Sequence, residues 1–202
     1  TDGSSYRQVP IGVVIPRDNA DVLATIATCR EYGAPVLSRG GGTSLAGQCC
    51  NAAVVLDFSK YMAEILEIDP VRKLARVQPG VILDHLRNAA EKHHLTFAPD
   101  PATHDRCTLG GMIGNNSCGV HSVMAGKTDD NVESLDIVTY DGSRMTVGRP
   151  AVAGLVLHVG DQVGHVLHGG HHGDEHFGRR RVGLPRQVEA LQEFTGEHRG
   201  DV

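Results

Sequence analysis

The chain has 202 residues, enough for one domain or two small lobes with a real core. With 40% hydrophobic and 21% charged residues its composition is globular, and a formal net charge of -5 argues against a general nucleic-acid binder, which would carry a basic face. No apolar run reaches the length of a membrane span and the first residues lack a basic-then-apolar leader pattern, so a soluble, cytoplasmic protein without a transmembrane segment is expected.

Residues 1–9 are polar and are expected to fray. A short strand at 11–15 is closed by Pro16. Arg17-Asp18-Asn19 then offers a cap to a helix over 20–32, whose apolar spacing runs through Val22, Leu23, Ile26 and Ala27. Gly33 ends it. A strand at 35–37 completes a β-α-β unit that feeds the stretch Ser38-Arg39-Gly40-Gly41-Gly42-Thr43-Ser44-Leu45-Ala46-Gly47-Gln48.

That stretch dominates the reading. Three glycines in a row leave the amides unshielded and reach backbone angles that other residues avoid, so consecutive N–H groups can form an anion-binding concavity. Arg39, Thr43, Ser44 and Gln48 add donors. The loop lacks the Lys-Ser/Thr of a P-loop. It also runs to Cys49-Cys50 and a strand at 53–57, not into a helix, so it is not a Rossmann fingerprint. A phosphate or pyrophosphate cradle of a third type competes here with a flexible surface turn.

A strand pair is expected at 63–69 and 73–78 around a Pro70-Val71-Arg72 turn. An amphipathic helix over 81–93 would bury Leu83, Leu86 and Ala90, and 95–97 returns extended. Pro99-Asp100-Pro101 precedes a second glycine-rich segment, 108–119, reading Thr-Leu-Gly-Gly-Met-Ile-Gly-Asn-Asn-Ser-Cys-Gly. Its small residues let backbone approach something flat or bulky. Two such segments, each with hydroxyl and amide donors, raise the case for one large ligand. A hairpin closes this part: a strand at 132–140, the Asp141-Gly142 turn and a partner at 144–147.

The five cysteines are odd in number and form no C-x-x-C pair, which leaves reduced thiols as the simplest reading. Residues 149–202 differ in character. They hold His158, His165, His168, His171, His172, His176 and His198, the basic run Arg179-Arg180-Arg181, and one helix-like stretch at 187–194. A disordered or arbitrary tail is the favoured reading. A metal-binding appendage using His168, His171, His172 and His176 is the lesser one, because loose histidine runs seldom fix a coordination geometry, and a degenerate cap domain is the third.

The three ordered segments 39–47, 99–119 and 126–142 together resemble FAD-linked oxidoreductases of the vanillyl-alcohol oxidase / p-cresol methylhydroxylase (PCMH) superfamily, in the branch of D-lactate, glycolate and D-2-hydroxyglutarate dehydrogenases. The resemblance implies an α+β, PCMH-type FAD-binding domain over 8–148, made of two α/β lobes with FAD between them. It places Arg39, Gly40, Gly41, Gly42, Thr43 and Ser44 at the pyrophosphate. It places Pro99, Asp100, Thr108, Gly110, Gly111, Asn115, Ser117 and Gly119 along the ribityl and isoalloxazine region, with Val132 and Ile137 towards the adenine. Thr43 and Ser44 stand where some members carry a flavin-linking histidine, so FAD is expected to be non-covalent. A valine at position 41 is expected to abolish FAD binding by occupying the phosphate's approach.

The function implied is oxidation of a small D-2-hydroxy acid by hydride transfer to FAD. The alternative is a truncated FAD-binding module without activity of its own, since a substrate-covering domain is missing. A sugar-nucleotide reductase using NADPH on the same fold is a third reading. His121 is a weak catalytic candidate weighed against a hydrogen-bonded structural role, and His104 and Arg106 are lesser candidates for the substrate side. No metal site is assigned. The electron acceptor is left open, with an iron–sulfur region or a quinone pathway as the alternatives, and a place at the periphery of the inner membrane stands as the alternative to the cytoplasm.

Overall fold

A computed structural model describes residues 1–148 and 154–161. The first lobe is built on β1 (Gly12–Val14), α1 (Asn19–Glu31), β2 (Val36–Arg39) and β3 (Val54–Asp57). Asp18 caps α1 by accepting the Asp21 N–H, and Gly33, at φ +62°, follows the helix end. The three strands are parallel in the order β1-β3-β2, with Val13 and Leu37 both opposite Val55. The β-α-β unit therefore leaves a gap between its own strands, and β3 fills it after the glycine loop.

The second lobe begins with β4 (Ile65–Asp69) and β5 (Leu74–Val77), then α2 (Leu83–Glu91), β6 (Leu95–Thr96), α3 (Leu109–Asn115) and α4 (Ser122–Ala125). It continues through β7 (Val132–Val138), β8 (Arg144–Gly148), β9 (Leu155–His158) and β10 (Gly160–Asp161). Five of these strands form an antiparallel sheet in the order β4-β5-β9-β7-β8, and β10 pairs with β6. Leu83, Leu86 and Ala90 of α2 are buried, as their spacing demands. They join Ala75, Val77, Phe97, Leu109, Met112, Leu157 and Val159 in one hydrophobic core. The fold is α+β, with parallel strands in one lobe and antiparallel strands in the other.

Two expectations need correcting. Residues 1–6 do not fray. Gly3 donates its N–H to the Gly42 carbonyl at 2.9 Å, Arg39 Nη1 donates to the Thr1 carbonyl at 2.7 Å, and the Asp2 carboxylate accepts the Cys49 N–H at 3.2 Å. The glycine loop has backbone groups to satisfy and little side chain of its own to satisfy them, and this polar strap supplies partners. The strand pattern also does not stop at 148. β9 is an inner strand, with β5 on one side and β7 on the other. The tail's remaining features, including His165, His168, His171, His172, His176, His198 and the 187–194 stretch, lie outside the described residues.

Candidate cofactor site

The glycine loop leaves the C-terminal end of β2 and is pressed against the segment that enters α3. A Cβ on Gly40 would lie 1.9 Å from Thr108 Oγ1, and one on Gly41 would lie 2.2 Å from the Arg106 carbonyl oxygen. Gly42 has φ +66°, and a Cβ there would meet the Arg39 guanidinium at 2.3 Å. Gly40 and Gly41 need glycine for contact with this chain's own atoms, and Gly42 for its left-handed backbone, before any ligand is considered.

What the glycines leave exposed is a row of donors. Among the described residues, none of the amides of 40–44 has a hydrogen-bond partner. The α3 amides behave differently: Leu109 donates to Val81, Gly110 to Pro79, and Gly111 to the capping hydroxyl of Thr108 at 3.3 Å. The amides without partners are thus on the loop and not at the helix end. Clustered backbone N–H dipoles of this kind suit a phosphate or diphosphate group.

The loop forms one wall of a cleft, through Gly40, Gly41, Gly42, Thr43, Ser44 and Cys49. The other wall comes from Thr103, Cys107, Thr108, Gly111, Met112, Asn115 and Ser117. The two glycine-rich segments, more than sixty residues apart in sequence, therefore face each other. Thr108 is buried, and it both caps α3 and touches the loop. Burial pushes the Cys107 thiol pKa up and keeps it neutral, so that side of the cleft carries no thiolate. The Cys49 sulfur lies 3.4 Å from Ser44 Oγ.

Of the residues assigned from sequence, Gly40, Gly41, Gly42, Thr43, Ser44, Thr108, Gly111, Asn115 and Ser117 share this cleft. The others sit elsewhere. Arg39 faces a second cavity with Thr1, Val13, Cys50 and Asp57, and its guanidinium holds the Thr1 and Cys49 carbonyls. The Pro99 carbonyl accepts from Arg87 at 3.0 Å. Gly110 lies against Pro79, and Gly119 against Asp100. Val132 packs on the core, and Ile137 is opposite Met145 in the β7–β8 hairpin. Asp100 itself holds His121, at 2.6 Å through Nδ1. His104 Nδ1 is 2.7 Å from Asp84, and Arg106 pairs with its neighbour Asp105. Thr103, Cys107 and Met112 were not singled out from sequence, because they belong to no phosphate-loop pattern. Their only signal is proximity to Thr108.

Among the described residues no group of His, Cys, Asp or Glu is arranged to hold a metal ion, and no helix is long and apolar enough to cross a membrane.

Comparison with known proteins agrees with this geometry. The chain is 38% identical over 151 residues to the glycolate oxidase subunit GlcD of Escherichia coli (strain K12), a match covering 74% of this chain and 30% of that protein. It is 39% identical over 145 residues to the D-2-hydroxyglutarate dehydrogenase of the same organism, covering 70% of this chain and 14% of the relative. It is 38% identical over 136 residues to a D-lactate dehydrogenase of Archaeoglobus fulgidus, covering 67% and 30%. The chain thus spans less than a third of the length of these relatives. A solved structure of alkyldihydroxyacetonephosphate synthase shares the fold, with a TM-score of 0.64 at 22% identity, over 74% of this chain and 31% of that one. The model of the family described as "FAD binding domain" matches residues 10–148, and the chain belongs to that family of FAD-binding domains.

Proposed function

We propose that this chain is the FAD-holding part of a flavoenzyme that oxidises a small D-2-hydroxy acid. The observation that carries the cofactor reading is the row of unpartnered amides at 40–44, on a loop whose glycines have no room for a side chain. Those amides would bind the pyrophosphate, with the Thr43 and Ser44 hydroxyls beside them as further donors. Thr108 would hold the opposite wall in place by capping α3. Met112 and Cys107 would line that wall with apolar surface and exclude water. Bound FAD would supply the oxidising power, accepting hydride from the carbon that bears the substrate hydroxyl. The substrate class rests on the relatives, whose names specify glycolate, D-2-hydroxyglutarate and D-lactate.

Thr43 and Ser44 offer the flavin no histidine link, which supports non-covalent binding. A visible absorption spectrum of the purified chain, before and after acid precipitation, tests this. Flavin bands that move to the supernatant are expected. Flavin in the pellet would overturn the non-covalent reading and point to Cys49, the one thiol of the loop wall. No flavin, even after adding FAD, would overturn the cofactor reading for this chain. A second reading is a module that binds FAD but has no activity of its own. Bleaching of the bound flavin by a panel of D-2-hydroxy acids separates the two.

A further inference from the structure

The amides of 40–44 can converge on an anion only if the loop that carries them is held in shape. Among the described residues, the backbone amides that bond within the loop lie past that row: Ala46 donates to the Gln48 side chain at 3.2 Å and Cys50 to the Gly47 carbonyl at 3.0 Å. The other restraints come from outside the loop. Arg39, at its start, reaches its far end: Nη1 donates to the Cys49 carbonyl at 3.4 Å and to the Thr1 carbonyl at 2.7 Å. Nη2 lies 2.3 Å from the place of a Gly42 Cβ, so the guanidinium also lies against the middle of the loop. Asp2 holds the same far end by accepting the Cys49 N–H at 3.2 Å, and Gly3 donates to the Gly42 carbonyl at 2.9 Å.

Cys49 is therefore gripped by both its N–H and its carbonyl, and it lines both the cofactor cleft and the cavity of about 280 Å³ on its other side. Arg39 lines that cavity and not the cleft. The bonds to Gly42 and Cys49 engage carbonyls of the loop, while the 40–44 amides keep their donors free. Of the two charged residues in this arrangement, Asp2 has the wrong sign for an anion site. The Ser4 hydroxyl holds its carboxyl at about 2, so the negative charge is present at neutral pH. On charge alone Asp2 would repel a diphosphate and weaken its binding. Its contact with Cys49 argues for the opposite effect, because a loop ordered in advance spends less of the binding energy on ordering.

We propose that Arg39 and Asp2 are positioning residues for the cofactor: they clasp Cys49 to the start of the loop, fix the shape that presents the 40–44 amides, and do so without touching the FAD diphosphate. The inference rests on the cofactor reading above. The clasp depends on the guanidinium's fork, which spans two carbonyls and lies against Gly42, and a lysine ammonium has the charge without that reach. The site thus draws its anion affinity from oriented amides, and its two nearby charges serve the loop.

The test is titration of the apo chain with FAD, followed by flavin fluorescence, and in parallel with inorganic pyrophosphate, together with nitrogen-15 amide spectra of the unliganded chain. Asp2→Ala is expected to weaken FAD binding about tenfold, although it removes a negative charge beside the loop. Arg39→Lys keeps its charge and is expected to weaken binding by about tenfold or more. In both variants the Gly42 and Cys49 amide signals are expected to move before any ligand is added. Tighter or unchanged FAD binding by Asp2→Ala overturns the clasp and leaves charge as the only effect. Weaker binding with unmoved amide signals overturns it too, since the side chains would then be acting on the ligand directly. Should Arg39→Lys not fold by circular dichroism, Asp2→Ala decides, because Asp2 lies outside the hydrophobic core. Wild-type chain that binds pyrophosphate but not FAD overturns the flavoenzyme reading, and the same variants then judge the clasp on pyrophosphate. Wild-type chain that binds neither overturns both.

Discussion

Gly41 shows how one atom decides the cradle. The sequence reading forbids a branched side chain there because it would block a phosphate. The structure gives an earlier reason, the Arg106 carbonyl 2.2 Å from any Cβ. Gly41→Val is therefore expected to lose about 3 kcal/mol of stability as well as FAD, because the loop must leave its neighbour. Urea unfolding of the apo chain checks this, and unchanged stability with FAD lost would restore the phosphate-only account. Gly114 is the contrast. It is exposed on α3 with nothing within 4 Å of a Cβ, so Gly114→Ala is expected to raise stability by about 0.5 kcal/mol. Asp2 gives a pH prediction. The Ser4 hydroxyl holds its carboxyl at about 2, below the ordinary 3.8. A depressed carboxylate supports the fold above its unfolded value and loses that support as pH falls through the folded one. The strap is thus expected to hold above pH 3.8 and to loosen towards pH 2, read from the Gly3 and Cys49 amide signals. At this scale the loop was legible because glycine runs are rare and chemically specific. The direction of the Arg39 side chain was not legible: its guanidinium turns to two carbonyls of its own chain.

At the scale of elements, the two lobes are tied by a hairpin tip. The Tyr140 hydroxyl lies 2.8 Å from the Ala34 carbonyl and 3.1 Å from that of Cys29, and Arg30 reaches the Asp141 carbonyl. These groups add a second donor at the end of α1, where the Cys29 carbonyl already accepts the Ala34 N–H at 2.8 Å. Tyr140→Phe is expected to cost about 1 kcal/mol and to speed amide exchange at the end of α1, measured by hydrogen exchange. Exchange unchanged there would show that the tip does not hold the helix. Most elements were legible from local signals: the Asp18 cap, the Leu83, Leu86 and Ala90 spacing, and the Asp141-Gly142 turn. β9 was not. Leu155, Val156 and Leu157 are consecutive apolar residues, and the strand has neighbours on both edges. A short inner strand has no alternation to betray it, and the glycine-rich and histidine-rich context around it reads as a tail.

For the whole molecule, the family pattern ends at 148 but the second lobe's sheet does not. A chain cut after Gly148 would lose Val156, Leu157 and Val159, all buried. At about 1.5–3 kcal/mol for each such side chain, the loss is about 5–9 kcal/mol. That rivals the entire stability of an ordinary domain, about 5–15 kcal/mol. The cut chain is expected to lack a cooperative thermal transition, and a sharp one by circular dichroism would show that β5 and β7 can close without β9. The same strand also sets the order of events at synthesis. The β4–β5 and β7–β8 hairpins emerge from the ribosome first, each with an edge that lacks its partner. They can join only when residues 155–159 follow, some eighty positions after β5. Until then the nascent chain carries two adhesive strand edges into crowded surroundings. Early release or a stall just short of β9 should therefore yield aggregates, and not a smaller working domain.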